Sequence, residues 1–451
     1  MCLTSCKDPS SKRPNTSANQ DAIGNLDQKE SEAWMKANNV TLKGYINPKP
    51  MLQFTEAGFP AAILCQLTKS FKLPTPIQSI SWPIAMSGRD MVSVAKTGSG
   101  KTLAFLLPAI LHTQNQPVRQ LNQGPSALIL LPTRELAQQV HTVAKKFCEL
   151  VNLSTCCVYG GANKATQAKH LQQGSDILIA TPGRLVDLLD RGSTNLSRCN
   201  FLVLDEADCM LNMGFKRQIK AIIAHIPQTP QTLMFSATWP HSVSRQAAKF
   251  QKDPAFLCVG SQDFTANSNI TQKIEVVDLE TRFDRLIETV KMTLKEKNPR
   301  TLIFCETKRG TKELNRELAA HKIKADYLLG DRSQTTRETV LKNFRTGNLA
   351  VLVATNVAGR GLDIDGIKYV INYQFPRFFE DYIHRIGRTG RCDKKGTAIT
   401  FFTSEDANSS IQLVKVLEEA GQEVPEEVRR MAVDLEIQKG IRKPGGELRK
   451  R

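Results

Sequence analysis

The stretch Ala95-Lys96-Thr97-Gly98-Ser99-Gly100-Lys101-Thr102 follows the apolar run Met91-Val92-Ser93-Val94 and precedes the helix-like run Leu103-Ala104-Phe105-Leu106-Leu107. Small residues between an apolar strand and a helix let backbone N–H groups curl around a polyphosphate at the positive end of the helix dipole. In that reading Thr97, Gly98, Ser99 and Gly100 form the cradle, Lys101 reaches the β- and γ-phosphates, and the Thr102 hydroxyl sits on Mg²⁺. Ala95 stands where the general pattern has glycine, so the stretch alone also fits a plain Gly-rich turn between strand and helix.

Downstream, short strand-like runs alternate with helical patterns: Ala127 to Leu131, Cys156 to Tyr159, Asp176 to Ala180, Phe201 to Leu204 and Thr232 to Phe235. Such alternation predicts βαβ units and a parallel sheet, whose ligands gather at the carboxyl ends of the strands. At those ends stand Thr133-Arg134, Gly160-Gly161, Thr181 with Arg184, Asp205-Glu206-Ala207-Asp208 and Ser236-Ala237-Thr238. An acidic pair closing an apolar strand suits metal-assisted phosphoryl transfer: Asp205 holds Mg²⁺ and Glu206 orients and deprotonates the attacking water. The bland alternative is an N-cap opening the next helix. Upstream, Phe71-Lys72-Leu73-Pro74-Thr75-Pro76-Ile77-Gln78 offers an aromatic to stack on adenine and an amide to hydrogen-bond it, or else a helix start punctuated by prolines.

A second βα series follows: Thr301 to Cys305, Ala325 to Leu329, Ala350 to Val353, Tyr369 to Asn372 and Thr397 to Phe402. It carries no phosphate loop. It offers Gly330-Asp331 with Gln334 and Arg337, then Thr355-Asn356-Val357-Ala358-Gly359-Arg360-Gly361-Leu362-Asp363, then His384-Arg385-Ile386-Gly387-Arg388-Thr389-Gly390-Arg391. Arg385, Arg388 and Arg391 are candidates for stabilising a transferring phosphoryl group from a neighbouring domain. Taken alone they also fit a phosphate-backbone patch or a solvated turn.

At 451 residues the chain fits two domains with extensions. The expected division is a disordered to extended arm over 1–44, a first domain over 45–259, a linker over 260–272, a second domain over 273–425 and a flexible basic tail over 426–451. A net charge of +17 favours a polyanionic partner, nucleic acid first and an acidic membrane surface second. The 11 cysteines are scattered without a CxxC pair, which points to reduced thiols inside a cell. No apolar run is long enough to span a bilayer, and no amino-terminal signal segment is expected.

Taken together, the motifs resemble those of the DEAD-box ATP-dependent RNA helicase family, in the family's order, over about residues 45 to 430. The resemblance rests on the phosphate loop, Asp205-Glu206-Ala207-Asp208, Ser236-Ala237-Thr238, Arg360-Gly361-Leu362-Asp363 and His384 to Arg391. Phe71 to Gln78 matches the family's adenine motif, with Ser70 in place of its first glycine, and Phe54 is the isolated aromatic upstream. The resemblance implies an α/β fold of two tandem RecA-like parallel-sheet domains that close on ATP and single-stranded RNA together. It implies that Lys101, Thr102, Asp205 and Glu206 hold and cleave ATP with Mg²⁺, that Arg388 and Arg391 act as fingers, and that Asp363 binds ribose. Phe54, Phe71 and Gln78 would hold the base, and Ser236, Thr238 and His384 would couple the lobes. RNA would lie on Thr133, Arg134, Gly160, Gly161, Thr181 and Arg184 of one lobe and on Gln334, Arg337, Thr355 and Arg360 of the other. Contacts would go mainly to the backbone, with little sequence preference.

The chain departs from the family pattern at Asn356, Gly359, Cys209, Asn212 and Leu329, which bears on how closure couples to hydrolysis. Asn47-Pro48-Lys49-Pro50 and Ser236-Ala237-Thr238-Trp239-Pro240 resemble the branch that acts in nuclear RNA processing. The expected protein is a monomeric, intracellular RNA-dependent ATPase, nuclear or else cytoplasmic, with ribonucleoprotein partners and no membrane association. It would unwind short duplexes or remodel ribonucleoproteins. The alternative is an ATP-gated RNA clamp or scaffold with negligible turnover. A processive DNA translocase is disfavoured, because neither a large insertion nor an accessory domain is apparent.

Overall fold

Strands rich in Val, Ile and Leu on both faces need helices on either side to cover them, the arrangement of a parallel sheet. The computed structural model describes residues 27–44, 48–120, 122–212, 214–226, 230–260, 269–296, 299–359, 364, 366–390 and 394–440, and these form two such sheets. The first contains β1 (Val40–Lys43), β2 (Met91–Ala95), β3 (Ala127–Leu130), β4 (Thr155–Val158), β5 (Ile177–Ala180), β6 (Phe201–Asp205), β7 (Gln231–Ser236) and β8 (Ala255–Val259). Their order is β1-β8-β2-β7-β6-β3-β5-β4, parallel except where β1 runs antiparallel to β8. Successive residues face opposite layers. Phe201 and Val203 pack in one apolar cluster with Trp82, Phe105 and Phe235, while Leu202 and Leu204 pack in another with Leu128, Leu178 and Met234.

The second sheet contains β9 (Ile270–Val276), β10 (Thr301–Phe304), β11 (Ala325–Leu328), β12 (Val351–Ala354), β13 (Tyr369–Asn372) and β14 (Gly396–Phe402). Their order is β11-β12-β10-β13-β14-β9, parallel throughout. In both lobes the candidate site residues cluster at the carboxyl ends of the strands. Strand register decides which of them meet: Val94 lies beside Ser236, and Asp205 beside Phe235, so the phosphate loop, the Ser-Ala-Thr segment and the acidic pair close three adjacent strands.

Three features differ from the sequence expectation. Part of the expected arm is ordered. The helix Gln28–Ala37 starts at a capping box in which Asp27 and Glu30 each accept the other's backbone N–H, at 2.8 and 2.9 Å, and Val40–Lys43 then joins the sheet. The second sheet begins at Ile270, inside the stretch expected as linker. The tail expected to be flexible from 426 instead forms the helix Glu426–Gln438, which buries Val428, Ala432 and Leu435 and packs on the helix Ser410–Glu419. Residues 1–26, 261–268 and 441–451 of these segments lie outside the described residues. No helix among the described residues is long and apolar enough to cross a membrane.

Candidate functional site

Gly98 and Gly100 hold φ of +79° and +93°, the left-handed conformation that glycine adopts without strain, and they turn the chain from β2 into the helix Lys101–Gln114. Lys101 is buried, with its ammonium donating to the Ala95 carbonyl at 2.7 Å. The loop is pinned from behind by Gln78, whose Nε2 donates to the Gly100 carbonyl at 3.0 Å while its Oε1 accepts the Thr75 N–H at 3.0 Å. A Cβ on Gly100 would stand 2.6 Å from Gln78 Nε2, so glycine is required on steric grounds as well. The Gln78 amide, expected on adenine, thus braces the phosphate loop in this structure. Phe54, also expected on the base, is corrected to a core residue: it is 3% exposed, with its ring centroid 6.2 Å from that of Trp82. Phe71 is 48% exposed.

Asp205 ends β6, and the next residue, Glu206, is held at φ +53°. A non-glycine residue there stores on the order of 1–3 kcal/mol of strain, a cost typical of functional sites. Burial and the neighbouring Glu206 charge push the Asp205 carboxyl up to about 7, against the pull of Lys101. Burial also opposes the Glu206 charge, but His384, Lys101 and Arg388 outweigh it and hold Glu206 below the usual carboxylate range. The opposed shifts separate the two neighbouring carboxylates, Glu206 holding its charge more readily than Asp205.

The second lobe reaches into this site. His384 Nε2 donates to Asp208 Oδ2 at 2.7 Å, and the same oxygen accepts from the Thr238 hydroxyl. His384 Nδ1 lies 3.7 Å from Glu206 Oε2, and the Thr238 N–H donates to Ser236 Oγ at 3.4 Å. Two of the three expected coupling residues, Thr238 and His384, therefore meet on Asp208, to which sequence reasoning gave no role, and Ser236 joins them through the Thr238 N–H. Arg388 is buried one turn further on, its Nε donating to the His384 carbonyl at 3.0 Å. Gly387 passes the phosphate loop so closely that a Cβ there would be 2.9 Å from Thr97 Oγ1. Arg385 turns inward to Glu306, the Gln374 carbonyl and Asn356, which removes it from the finger candidates. Arg391, Asp363 and Arg360 lie outside the described residues.

A cleft of about 480 Å³ crosses from one lobe to the other, lined by Thr133, Arg134, Gly160, Thr181, Arg184 and, from the second lobe, Gly330 and Arg337. Arg134 Nη2 donates to the Gly330 carbonyl at 3.4 Å. A Cβ on Gly161 would come 2.1 Å from Arg134 Nη1, so a side chain there would displace the guanidinium. Arg184 donates to the Ala162 carbonyl at 3.2 Å and to Gln167 Oε1 at 2.9 Å, and Gln167 also accepts the Tyr159 N–H and donates to its carbonyl. Gln167 therefore shapes the Gly160-Gly161 turn although no motif marks it.

Three residues expected on RNA are placed differently. Arg337 is committed to Glu135 of the first lobe and to the Leu329 carbonyl, so it enters the cleft as a tie between lobes. Gln334 donates to Glu338 at 3.0 Å, and Thr355 is buried at the end of β12. Glu135 was passed over because a glutamate in the first turn of a helix ordinarily faces water.

A phosphate loop on one RecA-like lobe, faced by a histidine and an arginine from a second such lobe, defines a nucleotide-driven two-lobe enzyme. A DEAD/DEAH box helicase family model matches residues 75–246, and a helicase conserved C-terminal domain model matches residues 281–393. The chain is 45% identical to DEAD-box ATP-dependent RNA helicase 20 of Arabidopsis thaliana, across 91% of this chain and 82% of that protein. It is 46% identical to ATP-dependent RNA helicase DBP2 of Candida albicans, across 89% of this chain and 72% of that protein. Among solved structures, S. cerevisiae Dbp5 bound to RNA and ADP BeF3 superposes with a TM-score of 0.72 at 27% identity, over 84% of this chain and 99% of that one. The chain belongs to the DEAD-box family of ATP-dependent RNA helicases.

Proposed function

We propose that the chain is an RNA-dependent ATPase that separates short RNA duplexes locally, or remodels ribonucleoproteins, as ATP draws its two lobes together. The observation that carries this reading is the His384–Asp208 hydrogen bond, which joins the second lobe to the first beside the acidic pair. The arrangement of lobes is similar to that of the Dbp5 structure with RNA and ADP BeF3, which supports reading it as the closed form.

The residues fit ATP and Mg²⁺. Ser99 Oγ and Glu206 Oε2 are buried polar atoms without a hydrogen-bond partner, and Lys101 rests on a backbone carbonyl that phosphate oxygens would replace. Thr102 and Asp205 offer the hard oxygen ligands that Mg²⁺ takes, and the ion would neutralise charge on the phosphates. Glu206 orients a water for in-line attack on the γ-phosphorus and takes its proton as the bond to ADP breaks. Arg388 reaches the same charge only when the lobes meet, so hydrolysis requires closure. The cleft over Thr133, Arg134, Gly160, Thr181 and Arg184 would hold one RNA strand by its backbone, in a path that also crosses the second lobe. The same reading makes the protein a monomer acting in the nucleus, which sedimentation and a fluorescent fusion would test.

The deciding experiment is ATP hydrolysis at fixed low salt with and without single-stranded RNA, using Lys101→Ala as the blank. Strong stimulation by RNA is expected. No stimulation, with ATP and RNA still bound, would overturn turnover in favour of an ATP-gated clamp.

A further inference from the structure

Arg337 occupies only one oxygen of Glu135. Its Nε and its Nη2 both donate to Oε1, while Glu135 Oε2, on a residue 8% exposed, has no hydrogen-bond partner among the described residues. The second lobe leaves a matching acceptor at Gln334. Its Nε2 donates to Glu338 Oε1 at 3.0 Å, but its own Oε1 is buried and without a partner among the described residues. Both residues line one cavity of about 430 Å³ between the lobes. One wall is the helix Arg134–Glu149, which adds Thr142 and Val143, and the other is the helix Gln334–Thr346, which adds Glu338, Leu341 and Arg345. Gln334, Glu338, Leu341 and Arg345 follow one face of their helix, so the cavity runs from an acceptor-rich end to a cation about 16 Å further along.

We propose that this cavity binds a small molecule carrying one primary ammonium on a short aliphatic stem, and that the bound ligand holds the lobes together. Orphaned acceptors call for donors, and an ammonium brings three N–H groups and no acceptor. Those three match Glu135 Oε2, Gln334 Oε1 and the Glu338 carboxylate. With Glu135 offset by Arg337, Glu338 leaves this end with a net negative charge, which favours a cation over a neutral amide or hydroxyl. Val143 and Leu341 give the stem an apolar wall, and Arg345 at the far end repels a second cationic group, so a monoamine is preferred to a polyamine. The acceptors come from different lobes. The complete site therefore exists only in the closed form, and occupancy favours closure by mass action.

This rests on the two-lobe reading above, and the test separates the two. In the full chain the probe is n-butylammonium, and the control is n-butyltrimethylammonium, which has the same charge but no N–H. At about 10 mM and constant ionic strength, the probe should tighten binding of single-stranded RNA with ADP and beryllium fluoride about tenfold, as for a Kd of about 1 mM. The control should leave that affinity unchanged, and so should the probe when nucleotide is absent and the lobes can separate. Glu338→Gln keeps an acceptor for Gln334 and removes the charge, so the gain should fall to about twofold or less. No gain with the probe, an equal gain with the control or without nucleotide, or a full gain in Glu338→Gln overturns the proposal. RNA affinity that does not rise with ADP and beryllium fluoride, with neither amine present, would overturn the proposed function instead. The rise in Tm given by the probe over the control, and its loss in Glu338→Gln, would then still read the site.

Discussion

Glu135 and Arg337, one from each lobe, form a buried ion pair: Arg337 Nε lies 3.0 Å from Glu135 Oε1, and both side chains are almost wholly shielded from water. The pair exists only while the lobes are together, so its free energy belongs to closure. Removing one partner of a buried pair strands the other charge, at a cost on the order of 3 kcal/mol. Glu135→Ala is therefore expected to weaken single-stranded RNA binding about 100-fold with ADP and beryllium fluoride present. Without nucleotide, when the lobes can separate, binding should change little. Fluorescence anisotropy in the two states checks this, and equal losses in both would show that the pair plays no part in closure.

Glu206→Gln keeps the size and reach of the side chain and removes the base. ATP turnover should fall by about 100-fold or more, with ATP and RNA still bound. Unchanged turnover in a steady-state phosphate-release assay would assign water activation to another residue.

The hydrogen bond from His384 to Asp208 should appear as a coupling energy. In a double-mutant cycle of His384→Ala and Asp208→Asn, read as RNA-stimulated kcat, the paired loss should be smaller than the sum of the single losses by about 1–3 kcal/mol. Additive losses would mean that the two side chains act separately.

Gln167 fixes the turn through both polar backbone groups of Tyr159 and holds Arg184 in the cleft. Gln167→Ala should weaken RNA binding about tenfold, by the same factor on RNAs of unrelated sequence, because the contacts it orders go to the backbone. A loss confined to one sequence would show base readout instead.

His112 is buried against the Phe201 ring, with its Nε2 2.6 Å from Asn200 Oδ1. Burial lowers its pKa below the ordinary 6.5, outweighing the hydrogen bond to Asn200. The folded protein thus binds this proton less readily than the unfolded chain, so its contribution to stability is complete above about pH 6.5 and is lost as pH falls toward the folded value. His112→Gln should shrink the drop in Tm between about pH 7.5 and about pH 5.5, measured against the wild type; an equal drop in both proteins would refute this.

What could be read from the sequence was local. The phosphate loop and the acidic pair sit at the ends of uninterrupted apolar runs, and their chemistry follows from residue type and order. Partners distant in the chain left no such mark. Glu135 and Arg337 are 202 residues apart, and Gln78 and Gly100 meet only because the helix Pro76–Met86 folds back on the loop. The helix Glu426–Gln438 was hidden by its charges: Glu426, Glu427, Arg429 and Arg430 dominate its composition, while Val428, Ala432 and Leu435 share one face. β9 was concealed by its alternation of Ile, Thr, Gln and Lys beside a polar stretch, the pattern of a strand covered on one side.

The strand Val40–Lys43 also alters the margin of the first sheet. Without it the sheet would end at Ala255-Phe256-Leu257-Cys258-Val259, an apolar run whose N–H and C=O groups would form a template for pairing with another chain. With it the margin is four residues long and closes on a lysine, with Leu42 opposite Leu257 and Lys43 opposite Phe256. The amino-terminal segment thus guards against edge-to-edge aggregation, and a fragment lacking Val40–Lys43 would carry an adhesive edge that this strand conceals.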